Sequence, residues 1–283
     1  MDWYIGQEWN DRVRGLSKKV LNLQFQHVEK PLTNSTVLFE IYKPCANLDG
    51  RPSKYLGSNK IHMPQILEMG TAVTPIDCYL EILLQQFLPG ETAACSIATK
   101  SGECLQFELK LERIICNTAI EKMTADEVFK LSLRYKDNGV VMFKPHPKFA
   151  FDYFVRSAKL LITYKPFDKL EKKTNGIDGI EVEKLFVQVQ TNLAACLLKE
   201  KRYEHVIYHT EFVETHDNPS EKSIYRRALA FYCLKEFEKA QKTIERVPNY
   251  EEKREFVKLL ENITSSWKTS NAHYKQVVQR MFK

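Results

Sequence analysis

The 283-residue sequence lacks the features that mark several common functional classes. It contains no run of eighteen apolar residues, so we expect no membrane-spanning helix. Its ten glycines are scattered, and neither a phosphate-cradling glycine loop nor a Ser-His-Asp grouping is visible. The sequence therefore predicts no cofactor and no catalytic constellation of these kinds.

Cysteine is present seven times, but the spacings are irregular and no CxxC pair occurs. The first residues, MDWYIGQEWNDRVRG, are charged and have no apolar core of the kind found in secretory signal peptides. Scattered thiols without a secretion signal are typical of reduced cysteines. We therefore expect the protein in the cytosol or the nucleus.

Charge of one sign is not concentrated anywhere in the chain. The 42 basic and 36 acidic residues are interspersed and leave a net charge of +6. Nucleic-acid binding is not predicted, because it normally requires a concentrated basic face. A positive groove for an acidic peptide is compatible with this balance.

The C-terminal half contains an internal sequence repeat with a period of 34 residues. Three pairs of residues fall in register at this spacing: Ala194 and Ala228, Tyr203 and Phe237, Val206 and Ala240. This is the period of the tetratricopeptide repeat, a helix–turn–helix unit. Such repeats stack into curved arrays that bind extended peptides, so the pattern predicts a protein that binds proteins.

The first half of the chain is predicted to be rich in β-strands. Residues 105–112 alternate apolar and polar side chains, 92–99 form the hairpin partner through 100–103, and 37–42 form another strand. A turn is predicted at 47–50. One helix interrupts this half, with Thr74 as its cap, an early proline and a stop at Pro89.

The second half is predicted to be helical. Thr124 is the expected N-cap of the first helix, and a break at 145–147 separates it from the second. Further helices are predicted at about 180–200, 203–216, 220–234, 237–247 and 249–282. Three helical pairs and a capping helix fit this number.

The β-rich half resembles the FKBP (immunophilin) prolyl-isomerase domain. The matching stretches are 64–70, the helix 75–87, the sequence Leu-Pro-Gly-Glu at 88–91 and the last strand at 105–111. The final residues, HYKQVVQRMFK, look like the last helix of large immunophilin co-chaperones. The resemblance implies an α+β fold, with a degenerate FKBP-like half-barrel over 1–121. An all-α domain of three tetratricopeptide repeats and a C-terminal helix then covers 122–283.

The resemblance also locates the isomerase pocket, which in FKBP domains is lined by aromatic side chains that desolvate a prolyl amide. Six positions carry other residues here: Ser53, Lys54, Gln65, Ile76, Asp77 and Leu80. The polar residues among them would wet the pocket. We therefore predict that the protein is not an enzyme, with an active prolyl isomerase as the first alternative.

The repeats resemble those that hold the acidic C-terminal tail of a chaperone such as heat shock protein 90 in a carboxylate clamp. The positions that match the clamp are Lys136, Asn192, Lys222 and Arg226. A fifth position holds Val140, where the family has a polar residue. The competing interpretation is that these residues only line solvated helix faces. Lys222 and Arg226 are four apart and share one face of a helix.

Partners follow from the resemblance. It implies an adaptor or co-chaperone whose client is a protein kinase of the casein kinase type, although no residue indicates the kinase. A second alternative is a scaffold that works by self-association. The basic amphipathic C-terminal helix is interpreted as a cap on the last repeat, and calmodulin is not expected to bind it.

Two smaller features of the sequence concern metal binding and the start of the chain. His205 and His209 are four residues apart, but no third ligand is evident, so no metal site is predicted. Trp3, Tyr4 and Trp9 form an aromatic group near the start of the chain. If exposed they indicate a docking arm, and if packed they seal the edge of the β domain.

Overall fold

The structure is a computed structural model, which describes residues 3–24, 28–45, 48, 50–57, 61–99, 102–215 and 219–281. The chain divides into two compact units, an N-terminal unit ending at Tyr153 and a C-terminal unit beginning at Phe154. The predicted domain limits of 1–121 and 122–283 stay predictions. The N-terminal compact unit includes the helix Ala125–Met142, which follows the sheet in the sequence.

The N-terminal unit contains a six-stranded sheet in which all neighbouring strands are antiparallel. In chain order the strands are β1 (Glu8–Asp11), β2 (Leu16–Leu23), β3 (Thr36–Lys43), β4 (Gln65–Glu68), β5 (Glu91–Ala98) and β6 (Cys104–Cys116). Their order across the sheet is β1-β2-β5-β6-β3-β4. The crossover from β2 to β3 places β5 and β6 at the centre.

The central strands bury every second side chain, as their alternation predicted. In β5 and in the first nine residues of β6 the buried positions all lie on one face. Helix α1 (Pro75–Leu84) packs against this face, and its leucines join one apolar core with Phe39 and Phe107. This arrangement is the α+β fold expected from the sequence.

Several boundaries differ from the predictions. Strand β6 continues to Cys116, and α1 ends at Leu84, before Pro89. Strands β1, β2 and β4 were not predicted. The four-residue strands β1 and β4 lie at the two sheet edges, where short strands carry a weak alternation signal, and in the eight-residue β2 the pair Lys18-Lys19 interrupts the apolar pattern. The loop residues 100 and 101, and residues 47 and 49 of the predicted turn, lie outside the described residues.

Helix α2 (Ala125–Met142) begins at a capping box, in which Thr124 and Glu127 each bond to the other's backbone N–H. Thr124 is thus confirmed as the N-cap. Helix α2 also contacts the turn after β4, where Asn138 donates to the carbonyl of Gly70 at 2.7 Å. Gly70 has φ of +79°, and a Cβ there would lie 2.5 Å from the Tyr135 ring. A glycine is therefore required at this contact.

The remaining helices follow in sequence. They are α3 (Pro147–Ile162), α4 (Lys172–Asn175), α5 (Gly179–Lys199), α6 (Tyr203–His209), α7 (Glu221–Cys233), α8 (Phe237–Ile244) and α9 (Arg254–Met281). The unit boundary falls within α3. Helix α6 is shorter than predicted and is followed by a 3₁₀ segment at Glu211–Glu214. Helix α9 begins at Arg254, five residues later than predicted.

The 34-residue sequence repeat is visible in the structure of the C-terminal unit. The small side chains Ala194 and Ala228 are both fully buried. The turns between paired helices also match, because Lys201 and Lys235 both have left-handed backbones, with φ of 58° and 63°. Two α-helical pairs, α5–α6 and α7–α8, therefore repeat one backbone design.

Helix α9 packs through its first three turns and extends beyond them. Phe256, Leu259 and Ile263 are its buried residues, and Trp267 stacks on Phe237 with ring centroids 6.5 Å apart. Later apolar residues such as Tyr274, with 70% of its surface exposed, are not covered within this unit. The N-terminal part of α9 is thus the predicted cap of the last repeat; Phe282 lies outside the described residues.

Candidate functional site

Asp77 is the centre of the region where the sequence located an isomerase pocket. It lies in the first turn of α1, and only 3% of its surface is exposed. Its Oδ1 accepts a hydrogen bond from the Ser53 hydroxyl at 2.5 Å, and its Oδ2 accepts from the Lys54 backbone N–H at 2.9 Å. The start of a helix favours a negative charge. The carboxylate is therefore satisfied despite its burial.

The loop that carries Ser53 is itself folded around this hydroxyl. Ser53 Oγ also accepts from the backbone N–H of Tyr55 at 3.2 Å and of Leu56 at 3.0 Å. Gln65 donates through Nε2 to the Tyr55 carbonyl at 3.3 Å. The loop therefore places the Tyr55 and Leu56 side chains in the core.

The apolar members of the set belong to the same core. Leu80 is fully buried, and Ile76 is 6% exposed. Both are part of the apolar cluster that contains Phe39, whose ring meets that of Tyr55 edge-on with centroids 5.8 Å apart. The structure thus brings the six predicted positions together. It presents there a hydrogen-bonded loop over a packed core.

A second buried carboxylate on α1 fixes the turn after β4. Glu81 is 2% exposed and accepts from the backbone N–H groups of Gly70, Thr71 and Ala72 at 2.9, 3.2 and 2.9 Å. Sequence reasoning did not single out Glu81. Its spacing of four from Asp77, which puts both acids on one helix face, is the signal that could have found it.

The predicted clamp residue Arg226 uses part of its hydrogen-bonding capacity within the fold. It lies on α7, and its Nη1 donates to the carbonyl of Thr191 on α5. Burial lowers the pKa of the Arg226 guanidinium. A guanidinium has five N–H donors, so this bond leaves others for a ligand.

The remaining clamp positions differ in their surroundings. Asn192 directly follows Thr191 on α5, so the contact of Arg226 brings α7 beside the turn of α5 that carries Asn192. Lys222 is exposed, one turn before Arg226 on α7. Lys136 belongs to the N-terminal unit, where its Nζ pairs with Asp137 at 2.7 Å.

Sequence reasoning missed a buried ion pair in the sheet. Lys18 on β2 is 2% exposed, and its Nζ lies 2.5 Å from Oε1 of the fully buried Glu91 on β5. Desolvation by burial lowers the pKa of Lys18 against the opposing attraction of Glu91. Trp3 donates through Nε1 to the other Glu91 oxygen at 3.0 Å. Trp3 and Trp9, which packs on the core, therefore help to seal the β domain, whereas Tyr4, the third aromatic residue of the predicted group, is 60% exposed.

The histidine pair at 205 and 209 lies on α6. His209 bonds to Gln190 through Nδ1 at 2.5 Å, and burial, followed by the nearby His205, lowers its pKa. Among the residues that the structure describes, no three metal-ligating side chains gather into a group that could hold an ion. Within that same part of the chain, no helix combines the length and the apolar character needed to cross a bilayer.

Two family models match this chain. One, described as the BDBT FKBP-like N-terminal domain, matches residues 9–116. The other, described as the Bride of doubletime-like TPR (tetratricopeptide-repeat) domain, matches residues 124–208. These ranges reproduce the expected order of an FKBP-like domain followed by tetratricopeptide repeats.

Individual proteins are similar as well. The crystal structure of residues 1–211 of CG17282 is 65% identical and covers 74% of this chain and all of that one, with a TM-score of 0.67. Peptidyl-prolyl cis-trans isomerase D of Kluyveromyces lactis is 27% identical over 177 residues, which are 60% of this chain and 46% of that protein. The protein Bride of doubletime of Drosophila melanogaster is 68% identical over an alignment of 285 positions, which covers 100% of this chain and 100% of that protein. The chain therefore belongs to the Bride of doubletime family of FKBP-like proteins with tetratricopeptide repeats.

Proposed function

We propose that this protein is a non-catalytic adaptor, which binds a client protein and recruits a chaperone through an acidic C-terminal tail. The observation that carries the non-catalytic part is the buried Asp77 carboxylate with its two hydrogen-bond donors, Ser53 and Lys54. These groups occupy the positions at which the family resemblance places the prolyl-isomerase pocket.

The physical reason is the chemistry of amide rotation. Its barrier is about 18–20 kcal/mol, and an apolar site lowers it by weakening amide resonance. A carboxylate bound to a hydroxyl and to a backbone N–H makes the local environment polar. Tyr55 and Leu56, held in the core by the same loop, also take up space beneath it. Both features support a site that does not accelerate prolyl isomerisation.

The proposed chaperone contact uses Asn192, Lys222 and Arg226, which all belong to the C-terminal unit. A chain end next to an acidic side chain presents two carboxylates, which charge-assisted hydrogen bonds can hold at about 1.5–3 kcal/mol each. The contact of Arg226 with α5, next to Asn192, supports a shared site for these two residues. Val140, with 54% of its surface exposed, supplies no hydrogen bond at the fifth position.

The proposed client is a protein kinase of the casein kinase type, as the family resemblance implies. The name of the Drosophila relative refers to doubletime, and we propose a partner of that kind for this chain. Mixing the full-length protein with a purified casein kinase and measuring co-elution by size exclusion tests the client. Separate elution at micromolar concentrations of both proteins would contradict it. The proposed site of action is the cytosol or the nucleus.

The chaperone tail is tested by calorimetric titration of the full chain with the peptide Met-Glu-Glu-Val-Asp. Because Lys222 is exposed, Lys222→Ala removes a charge without disturbing packing. Arg226→Ala also breaks the bond to Thr191, so Arg226→Lys serves as the milder variant. Lys258→Ala is the matched control on α9, also exposed.

We expect micromolar binding that falls about tenfold in Lys222→Ala, the effect of one charge-assisted hydrogen bond. The control should bind like the wild type. Absence of binding by folded wild-type protein, or equal loss in Lys258→Ala, would refute the clamp. A peptide isomerisation assay on the same preparation tests the other half of the proposal: acceleration above the uncatalysed rate would contradict the non-catalytic assignment.

A further inference from the structure

A cavity of about 430 Å³ lies on the C-terminal unit between α6, α7 and α8. Its lining is strongly basic, with four cations: Arg227, Lys239, Lys242 and Arg246. One carboxylate, Glu214, and one aromatic ring, Phe231, also line it. None of the predicted clamp residues is among the lining residues.

Arg227 forms a rigid floor of this basic pocket. Its surface is only 6% exposed, and its Nη1 donates to the carbonyl of Ile207 at 2.7 Å. The guanidinium carbon lies 5.0 Å from the centroid of the Phe231 ring, which is within the range of a cation–π contact. Because Glu214, Ile207 and Phe231 already hold the guanidinium in place, a ligand that binds here does not lose free energy by ordering this side chain.

The pocket carries more positive charge than its own carboxylate can neutralise. Glu214 accepts from Arg227 Nε at 2.8 Å and from Arg246 Nη1 at 2.9 Å, so one negative charge serves two cations. Lys239 and Lys242 on α8 also pair with glutamates, Lys239 with Glu236 at the N-cap of the helix and Lys242 with Glu238. Exposed pairs of this kind hold a lysine only weakly. Both ammonium groups can therefore turn to a stronger anion.

We propose that the basic pocket binds a phosphorylated side chain of a peptide. A phosphomonoester carries a charge of about −1.5 to −2 and three acceptor oxygens, so several of the lining cations can contact it at once. Arginine binds phosphate through paired N–H donors, and Arg246 is the accessible arginine of the pocket. A single carboxylate is planar and carries less charge, and Glu214 already supplies one.

A peptide fits this pocket better than a nucleic acid does. The cations gather in one cavity, whereas a nucleic-acid backbone requires a stripe of positive charge along a face. The Phe231 ring beside the cations can contact the apolar part of the modified side chain. The proposal is independent of the chaperone clamp, because the two sites share no residue.

The test uses the full-length protein labelled with ¹⁵N. The probes are a capped pentapeptide with a central phosphoserine between alanines, its unphosphorylated form, inorganic phosphate and a short oligothymidylate. The Nε–Hε signals of Arg227 and Arg246 report on the pocket itself. We expect the phosphopeptide to shift these signals and to bind at least about tenfold more tightly than the unphosphorylated peptide.

Two exposed lysines provide variants that leave the floor intact. Lys239→Gln combined with Lys242→Gln should weaken phosphopeptide binding about tenfold or more. Lys258→Gln, an exposed lysine on α9 outside the pocket, should bind like the wild type.

Equal binding of the two peptides, or unchanged binding in the double lysine variant, would overturn the proposal. Inorganic phosphate that binds as tightly as the phosphopeptide would show a site for the free anion and refute a peptide site. Tighter binding of oligothymidylate would identify a nucleic-acid site instead.

Discussion

Replacement of Asp77 tests directly whether the polar network stabilises the N-terminal unit. Asp77→Ala removes the acceptor for the Ser53 hydroxyl and the Lys54 N–H. Hydrogen bonds to a charged group are worth about 1.5–3 kcal/mol each, and a negative charge at a helix start about 0.3–1 kcal/mol more. We expect a loss of about 3–7 kcal/mol in the free energy of opening of this unit.

Two further variants set the scale. Asp77→Asn keeps one acceptor oxygen, so the expected loss is about half as large, roughly 1.5–3 kcal/mol. Asp126→Asn is the control at the start of α2, where the acid forms an exposed pair with Lys130. Its replacement should destabilise the unit far less than Asp77→Ala does, because both the ion pair and the helix start are exposed there.

Amide hydrogen exchange on the full chain is the assay, because the amides of Leu80 and Leu83 on α1 report the opening of the N-terminal unit alone. The reasoning is refuted if Asp77→Ala lowers the opening free energy by less than about 1 kcal/mol, well below the value of two charged hydrogen bonds. A loss in Asp126→Asn as large as in Asp77→Ala would refute it equally.

Three further predictions concern packing and charge. Lys201→Gly and Lys235→Gly should each stabilise the C-terminal unit by about 0.5–1 kcal/mol, because glycine adopts the left-handed turn without strain. Lys18→Met should destabilise the N-terminal unit by about 3–5 kcal/mol, because Glu91 stays buried without its cation. Burial raises the pKa of the Cys196 thiol from 9.0 to about 12. The folded chain thus keeps a proton that the unfolded chain loses, and stability falls as pH rises through this window, by up to about 1.4 kcal/mol per unit. Cys196→Ala should reduce that slope.

Urea unfolding curves test all three predictions, and for each prediction one outcome would contradict it. A loss of stability in the glycine variants would mean that the lysine side chains contribute more than the backbone strain costs. For the ion pair, adding Glu91→Gln to Lys18→Met should recover part of the loss, and no recovery would exclude the unpaired charge as its cause. Equal alkaline slopes for wild type and Cys196→Ala would rule out the buried thiol.

The parts of the fold that sequence predicted are those in which local pattern and packing agree. The alternation in β6 and the 34-residue spacing of Ala194 and Ala228 both reflect burial of one face. The contact of Lys18 with Glu91 joins residues 73 positions apart in the sequence. A lysine in an alternating strand is normally assigned to the solvent face, so no local pattern predicts this pair.

The candidate site was predictable only in part, for a related reason. The family resemblance located Ser53, Lys54 and Asp77, but their mutual hydrogen bonds depend on how the loop folds over the start of α1. The Arg226 contact with Thr191 likewise depends on the packing of α7 against α5. Residue type and spacing predicted which residues belong to the candidate site. Tertiary packing decides which of their hydrogen-bonding groups already have partners within the fold.

The two buried acids of α1 connect the fold to the proposed function. Asp77 and Glu81 lie one turn apart, and each accepts hydrogen bonds from a different loop, at 53–54 and at 70–72. One helix face thereby fixes both loops through charged acceptors in a buried environment, where such bonds are strong. A catalytic pocket at this face would need the opposite properties, an apolar surface and room for a prolyl ring. We propose that the residues that hold the loops in place do not also form such a pocket, and this is the physical basis for proposing an adaptor built on an FKBP-like fold.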